Sequence, residues 1–220
     1  MKKQLIIFGS GDIAQIANYY FKNDSEYTVA AFTVDGDYVQ EDTFEGLPVV
    51  AFEEATQRFP AAEYDMFIAL SYAQMNKLRE AKYHQAKAKG YTLPSYISSK
   101  CSYLTPYPTG DNCFIFEDNT IQPFVQIGSN VTLWSGNHIG HHSVIHSHNF
   151  ISSHVVISGH CTIESNCFLG VNSTLAHQIT IAPETLVGAG VVMNKNSEAR
   201  GVYVAARPTK LPRTSDQIKL

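Results

Sequence analysis

Residues 115–193, set out in sixes, read IFEDNT IQPFVQ IGSNVT LWSGNH IGHHSV IHSHNF ISSHVV ISGHCT IESNCF LGVNST LAHQIT IAPETL VGAGVV M. Every group opens on an aliphatic side chain, from Ile115, Ile121 and Ile127 through Leu169, Leu175 and Ile181 to Val187 and Met193. An amphipathic helix repeats about every 3.6 residues and a half-buried strand about every 2, so neither generates this spacing. A six-residue period belongs to a parallel β-helix, where each of three short faces takes one hexapeptide. One coil then holds about 18 residues, and strands of successive coils stack about 4.8 Å apart. This stretch is predicted to be a solenoid.

The position two residues before each aliphatic also points inward, where only modest side chains fit. It carries Cys113, Asn119, Val125, Val131, Asn137, Ser143, Asn149, Val155, Cys161, Cys167 and Ser173, with Ile179 the one bulky exception. Gly128, Gly140, Gly170 and Gly188 directly follow an aliphatic, and are read as corners where glycine relieves backbone strain. Three of the four cysteines fall on interior positions and read as small buried hydrophobes. No CxxC spacing occurs and no signal peptide precedes the chain, so a reducing, cytoplasmic setting is expected.

At 220 residues the chain has room for two modest domains or one large one. A net charge of −4 without a basic cluster argues against nucleic-acid partners and electrostatic membrane binding. No apolar run approaches the roughly 20 residues of a membrane span.

Residues 1–95 have another character. Residues 4–8 form an apolar run that meets Gly9-Ser10-Gly11-Asp12-Ile13-Ala14, followed by a helical pattern through Phe21. Residues 27–34 and 65–70 read as further strands, 52–59 as amphipathic, and 75–89 as a helix stopped by Gly90. This order predicts a small α/β domain of Rossmann-like βαβ type. A loose hinge through Leu93-Pro94 then leads to the solenoid of residues 96–220, whose first coil is irregular around residues 105–111.

The glycine turn has three readings. GxGxxA with Asp35 some 20 residues on resembles a dinucleotide site. Fewer than about 100 residues precede the solenoid, which leaves room for one mononucleotide half only. A ligand-free tight turn is the second reading. The third, preferred here, is a single nucleotide group whose phosphates approach the backbone amides of Gly9, Ser10, Gly11 and Asp12 at the helix start.

Seven of the nine histidines lie between His138 and His160. His142, His148, His154 and His160 share one hexapeptide position and are expected to point outward. His141 sits two residues past an aliphatic, with Pro123 one coil before it, Gly159 one coil after and His177 two coils after. An imidazole beside a glycine amide suits acyl transfer: the ring removes the amine proton and the N–H steadies the oxyanion.

At these residues the chain resembles the sugar-nucleotide acyltransferases of the left-handed β-helix group, the family of bacillosamine and perosamine N-acetyltransferases. The blocks that carry it are the strand–GSG–helix start, Val34-Asp35, Gly46-Leu47-Pro48-Val49, Asn137-His138-Ile139-Gly140-His141-His142, Glu164 through Ser173, Val187-Gly188-Ala189-Gly190 and Gly201-Val202-Tyr203-Val204. The resemblance implies a left-handed parallel β-helix, a homotrimer, and acetyl-CoA as co-substrate without a metal. It implies an amino sugar nucleotide, of 4-amino-deoxy type, as acceptor, with O-acetylation of a sugar hydroxyl, as in sialic acid O-acetyltransferase-like proteins, the alternative. By the same resemblance His141 is the base with His142 beside it, and acetyl-CoA lies in a groove between subunits near Gly159, Gly188, Ala189 and Lys210. The sugar nucleotide lies around Gly9, Ser10, Gly11, Asp12 and Asp35, with Trp134 at the sugar. His142 stands where the family often has an acid, Trp134 where it has a smaller polar residue, and residues 204–210 replace the usual VGxPAK.

Two other classes were weighed. A γ-carbonic anhydrase type of metal site uses a histidine pair five residues apart and a third two coils earlier. His141 and His146 have that pair spacing, but Thr105 stands two coils before His141, and the set is incomplete. The second class is a non-catalytic scaffold trimer.

Overall fold

The computed structural model describes residues 3–218. Its N-terminal part is a sheet of order β3-β4-β2-β1-β5, built from β1 (Lys3–Phe8), β2 (Tyr27–Val34), β3 (Thr43–Phe44), β4 (Leu47–Ala51) and β5 (Tyr64–Ile68). All pairs are parallel except the β3–β4 edge. Helices α1 (Asp12–Asn23), α2 (Ala55–Arg58) and α3 (Lys77–Ala88) complete it. Leu5, Ile6, Ile7 and Phe8 are all buried, as the central strand of a sheet covered on both faces requires. Helix α1 buries Ala14, Ala17 and Phe21, one stripe at helical spacing.

From Tyr96–Ile97 onward the chain forms two-residue strands, each paired in parallel with its counterpart one coil later, as Thr132↔Phe150 and Leu133↔Ile151 show. They make three sheets of seven, six and four strands. The chain visits the seven-stranded face at Thr132–Leu133, the six-stranded face at His138–Ile139 and the four-stranded face at Val144–Ile145, then returns at Phe150–Ile151. The aliphatic ladder fills the interior, where Ile139, Ile145, Ile151, Ile157 and Ile163 are fully buried. Interior asparagines pair coil to coil: Asn119 Oδ1 accepts the Asn137 N–H at 3.2 Å, and Asn137 Oδ1 accepts the Val155 N–H at 2.7 Å. A buried amide therefore replaces backbone partners lost at the corners.

The corner chemistry differs from the sequence expectation. The left-handed backbone falls on the fourth residue of each hexapeptide, including His142 (φ 59), His148 (φ 65), His154 (φ 58) and His160 (φ 60). Gly128, Gly140, Gly170 and Gly188 have no such φ, so strain does not require them. Space does at three of them: a Cβ on Gly128 would lie 2.8 Å from the Ser147 amide nitrogen, on Gly140 2.5 Å from that of Gly159, and on Gly170 2.6 Å from that of Ala189. Gly188 is looser, its nearest neighbour being the Tyr203 carbonyl at 3.0 Å.

The seven-stranded face carries the N-terminal part. Tyr96, Phe114 and Phe116 share one apolar cluster with Phe21 of α1 and Phe67 of β5. The connector at Leu93-Pro94 is fixed, not loose: Leu93 is buried, its carbonyl accepts the Asn112 N–H, and Ser95 Oγ bonds the Gly110 carbonyl and the Cys113 N–H. Arg79 of α3 is buried with its guanidinium on the carbonyls of Asn149 (2.9 Å) and Asn130 (3.2 Å). Burial lowers its pKa to about 10, so it stays charged at neutral pH and ties α3 to the solenoid. Among the described residues no helix is long and apolar enough to cross a membrane, and all four cysteines are free.

Candidate active site

His141 and His142 occupy the corner between the six-stranded and four-stranded faces, and stacking of coils sets His160 beside them. The His141 N–H donates to Gln122 Oε1 at 2.9 Å, and the His141 carbonyl accepts the His160 N–H at 2.9 Å. Gly159 is the floor under the His141 ring: a Cβ there would come within 2.8 Å of Cε1 and Nε2. His141 Nδ1 and His142 Nδ1 are 3.1 Å apart, so one ring donates and the other accepts. With the proton on His141 Nδ1, its Nε2 keeps a free lone pair and His142 takes the orienting role an acid would fill. The His142 and His160 rings stack at 4.8 Å and 9°, and His177 lies 5.4 Å from His160. Desolvation, then the charges of His142, His141 and His177, hold His160 below the usual imidazole range.

Within one chain, the residues that the resemblance assigns to an intersubunit acetyl-CoA groove lie on different edges of the prism. Gly188 and Ala189 follow the strand Leu186–Val187 and turn from the seven-stranded to the six-stranded face, a different edge of the prism from His141 and Gly159. Lys210 is exposed in the tail beyond Val202–Tyr203. Trp134, assigned to the sugar, is half-buried in the seam, edge-on to Phe116 with ring centres 4.6 Å apart. Its large ring is held there by the aromatic seam under α1.

A cleft of about 370 Å³ at the carboxyl ends of the parallel strands is lined by Gly9, Ser10, Gly11, Asp35, Tyr38 and Lys82, with Phe8, Val34, Leu70 and Leu78. Gly9 has φ +126, and a Cβ there would meet the Ala69 carbonyl at 2.7 Å, so the fold itself demands this glycine. Gly11 has no atom within 4 Å of its missing Cβ. Asp12 begins α1, is exposed and does not line the cleft. Its carboxylate already occupies the positive helix end, so it opposes an anion there. Asp35 pairs with Lys82 Nζ at 2.6 Å. Lys82 and Tyr38 were missed in the sequence because neither lies in a motif; only folding brings α3 and the segment after β2 beside the glycine turn.

Two groups of side chains have spacing suited to a metal ion: His141, His142 and His160, and Glu80, His84 and His148. The second does not fit one. Asn112 Oδ1 accepts the Ile68 N–H (2.8 Å) and Asn112 Nδ2 donates to Asn130 Oδ1 (2.8 Å). Asn130 Nδ2 must then donate to His148 Nδ1 (2.9 Å), leaving the proton on Nε2, which faces Glu80 at 3.6 Å. His148 was expected to point outward but is buried under α3. Burial lowers its pKa first, with Glu80 opposing and His84 and Arg79 assisting. The unfolded chain therefore takes up this proton first, and stability is lost as pH falls through about 6.5, the ordinary imidazole value. Thermal melts from neutral to acid pH should fall more steeply for the native protein than for His148→Asn. Equal slopes would show that His148 does not titrate this way.

The bacterial transferase hexapeptide family (six repeats) matches residues 124–159. No curated protein matches the chain. Among solved structures the chain is similar to the acetyltransferase domain of PglB from Neisseria gonorrhoeae FA1090, with TM-score 0.77 and 18% identity over 88% of this chain and 92% of that one. It is similar to PerB from Caulobacter crescentus in complex with CoA and GDP-perosamine, with TM-score 0.77 and 21% identity over 93% of each chain. WeeI from Acinetobacter baumannii AYE matches with TM-score 0.77 and 17% identity over 91% of this chain and 96% of that one. The chain thus carries the hexapeptide repeat of that family over residues 124–159. It has the fold of these proteins along most of its length.

Proposed function

We propose that this protein is an acetyl-CoA-dependent N-acetyltransferase acting on a nucleotide-linked amino sugar, and that its solenoid is a left-handed β-helix. The observation that carries the reading is His141, seated against Gly159 with Nε2 open and Nδ1 held by His142. The acceptor amine attacks the thioester carbonyl of acetyl-CoA while His141 Nε2 takes its proton, directly or through one water. Collapse of the tetrahedral adduct expels the CoA thiolate, which recovers a proton. PerB is solved with CoA and GDP-perosamine and the PglB domain with acetyl coenzyme A, which supports this pair of ligand classes.

The glycine cleft holds the nucleotide, with the backbone amides of Ser10 and Gly11 (the Gly9 N–H is taken by the Thr33 carbonyl at 2.8 Å), Lys82 as the nearby cation and Tyr38 as an aromatic surface. Gly11→Val introduces a side chain into space that no protein atom fills, so it should raise the KM for the sugar nucleotide and leave acetyl-CoA affinity unchanged, with a small drop in melting temperature because valine caps α1 less well than glycine. An unchanged KM in steady-state kinetics would remove the nucleotide from this cleft.

The cleft belongs to the part seated on the seven-stranded face, whereas His141 lies on the edge opposite that face. One chain therefore does not bring the two together. A C₃ trimer does, by setting the histidine edge of one subunit against its neighbour. Sedimentation should give a trimer. A fully active monomer would contradict the shared site.

A further inference from the structure

We propose that His141, His142 and His160 form a binding site for a divalent transition-metal cation of the zinc class. One ring nitrogen from each residue lies within 4.8 Å of the other two. Zinc binds imidazole at about 2.0–2.1 Å in tetrahedral geometry, so its ligand nitrogens sit roughly 3.4 Å apart. The His141 and His142 Nδ1 atoms, at 3.1 Å, are already near that separation. The His160 ring, exposed and stacked on His142 with planes 9° apart, turns out of that stack to bring its in-plane lone pair onto the ion.

The site is built by the scaffold. His142 and His160 take the same left-handed corner one coil apart, which sets their ring centres 4.8 Å apart, with the His141 ring 5.3 Å and 5.1 Å from them. The backbone beneath is tied by His142 N–H to the Pro123 carbonyl at 3.3 Å and His160 N–H to that of His141 at 2.9 Å. The contrast with Glu80, His84 and His148 is chemical: there the Asn112–Asn130 chain keeps a proton on the only nitrogen His148 has free. At the exposed trio the corresponding contact is the single His141–His142 Nδ1 hydrogen bond, and its proton can move to the solvent-facing Nε2, so that each neutral ring places its N–H on the nitrogen away from the metal. Binding then needs no net proton release. Three imidazoles without a carboxylate select zinc, copper or nickel over magnesium or calcium. A fourth position stays open to water.

A consequence follows that rests on the function proposed above. A cation on His141 Nδ1 leaves the ring's proton on Nε2, where the base needs a lone pair, so zinc should inhibit acetyl transfer reversibly.

The test uses full-length, metal-free protein in equilibrium dialysis against Zn²⁺, with Mg²⁺ as the comparison. His160→Asn is the variant, because asparagine takes the same left-handed corner at Asn130 and Asn166 and should preserve the melting temperature. The native protein should bind one Zn²⁺ per chain and no Mg²⁺, and His160→Asn should bind Zn²⁺ about tenfold more weakly or worse, one of three ligands being lost. Equal zinc affinity in the two proteins, or magnesium bound as well as zinc, would overturn the site. Turnover separates the two readings: bound zinc that leaves turnover unchanged keeps the metal site and removes His141 as base.

Discussion

His141→Asn is expected to lower kcat about 10²–10⁴-fold, the usual cost of losing a general base. Asparagine keeps the bulk beside Gly159 but has no lone pair basic enough to accept the amine proton. The ladder beneath is untouched, since Ile139 and Ile145 stay buried on either side of the corner. Acetyl-CoA affinity and melting temperature should therefore remain near native values. His142→Asn should cost less, because His142 only orients Nδ1 of its neighbour. Steady-state kinetics of the two variants check this. If His141→Asn turns over normally, the amine must arrive neutral and lose its proton to solvent or to the departing thiolate.

A large effect on stability is expected at Gly140. A Cβ there would sit 2.5 Å from the Gly159 amide nitrogen, and backbone cannot rotate away as a side chain can. Gly140→Ala should cost about 3 kcal/mol, the upper end for overpacking. Gln178→Gly tests the converse. Gln178 has φ 62, a conformation glycine adopts without penalty, so the change should be within about 0.5 kcal/mol of neutral. Chemical denaturation of both variants measures the difference. Equal effects would mean that the corner glycines do answer to strain.

The solenoid was legible because its restraint is local and periodic. Every coil must present one aliphatic per face, so Ile115 through Met193 betray the fold at sight. The inward asparagines were legible too, although their role as coil-to-coil acceptors emerges only from Asn119, Asn137 and Val155 in register. The corner glycines misled, since sequence shows which residue follows an aliphatic but not how closely the next coil approaches. The pairing of His142 with His160 was implicit in their spacing of one coil. What that spacing could not reveal is ring orientation, or that His148 at the same repeat position is covered by α3. Arg79, Lys82 and Tyr38 carried no motif; α3 and the loop after β2 acquire meaning only when packed on the solenoid or the strand ends. Trp134, prominent in the sequence, packs half-buried on the aromatic seam, a contact with Phe116 that no motif announces.

Incubation of the native protein with acetyl-CoA and a panel of acceptors, read by mass spectrometry, tests the central claim most directly. The panel pairs amino sugar nucleotides with the matching free amino sugars and with hydroxyl-only sugar nucleotides. The account predicts one acetyl group gained on an amino sugar nucleotide, a far slower reaction with the free sugar, and none with the hydroxyl-only nucleotides. Acetylation of free amino sugars as fast as of nucleotide-linked ones, or no transfer to any amine, would contradict it.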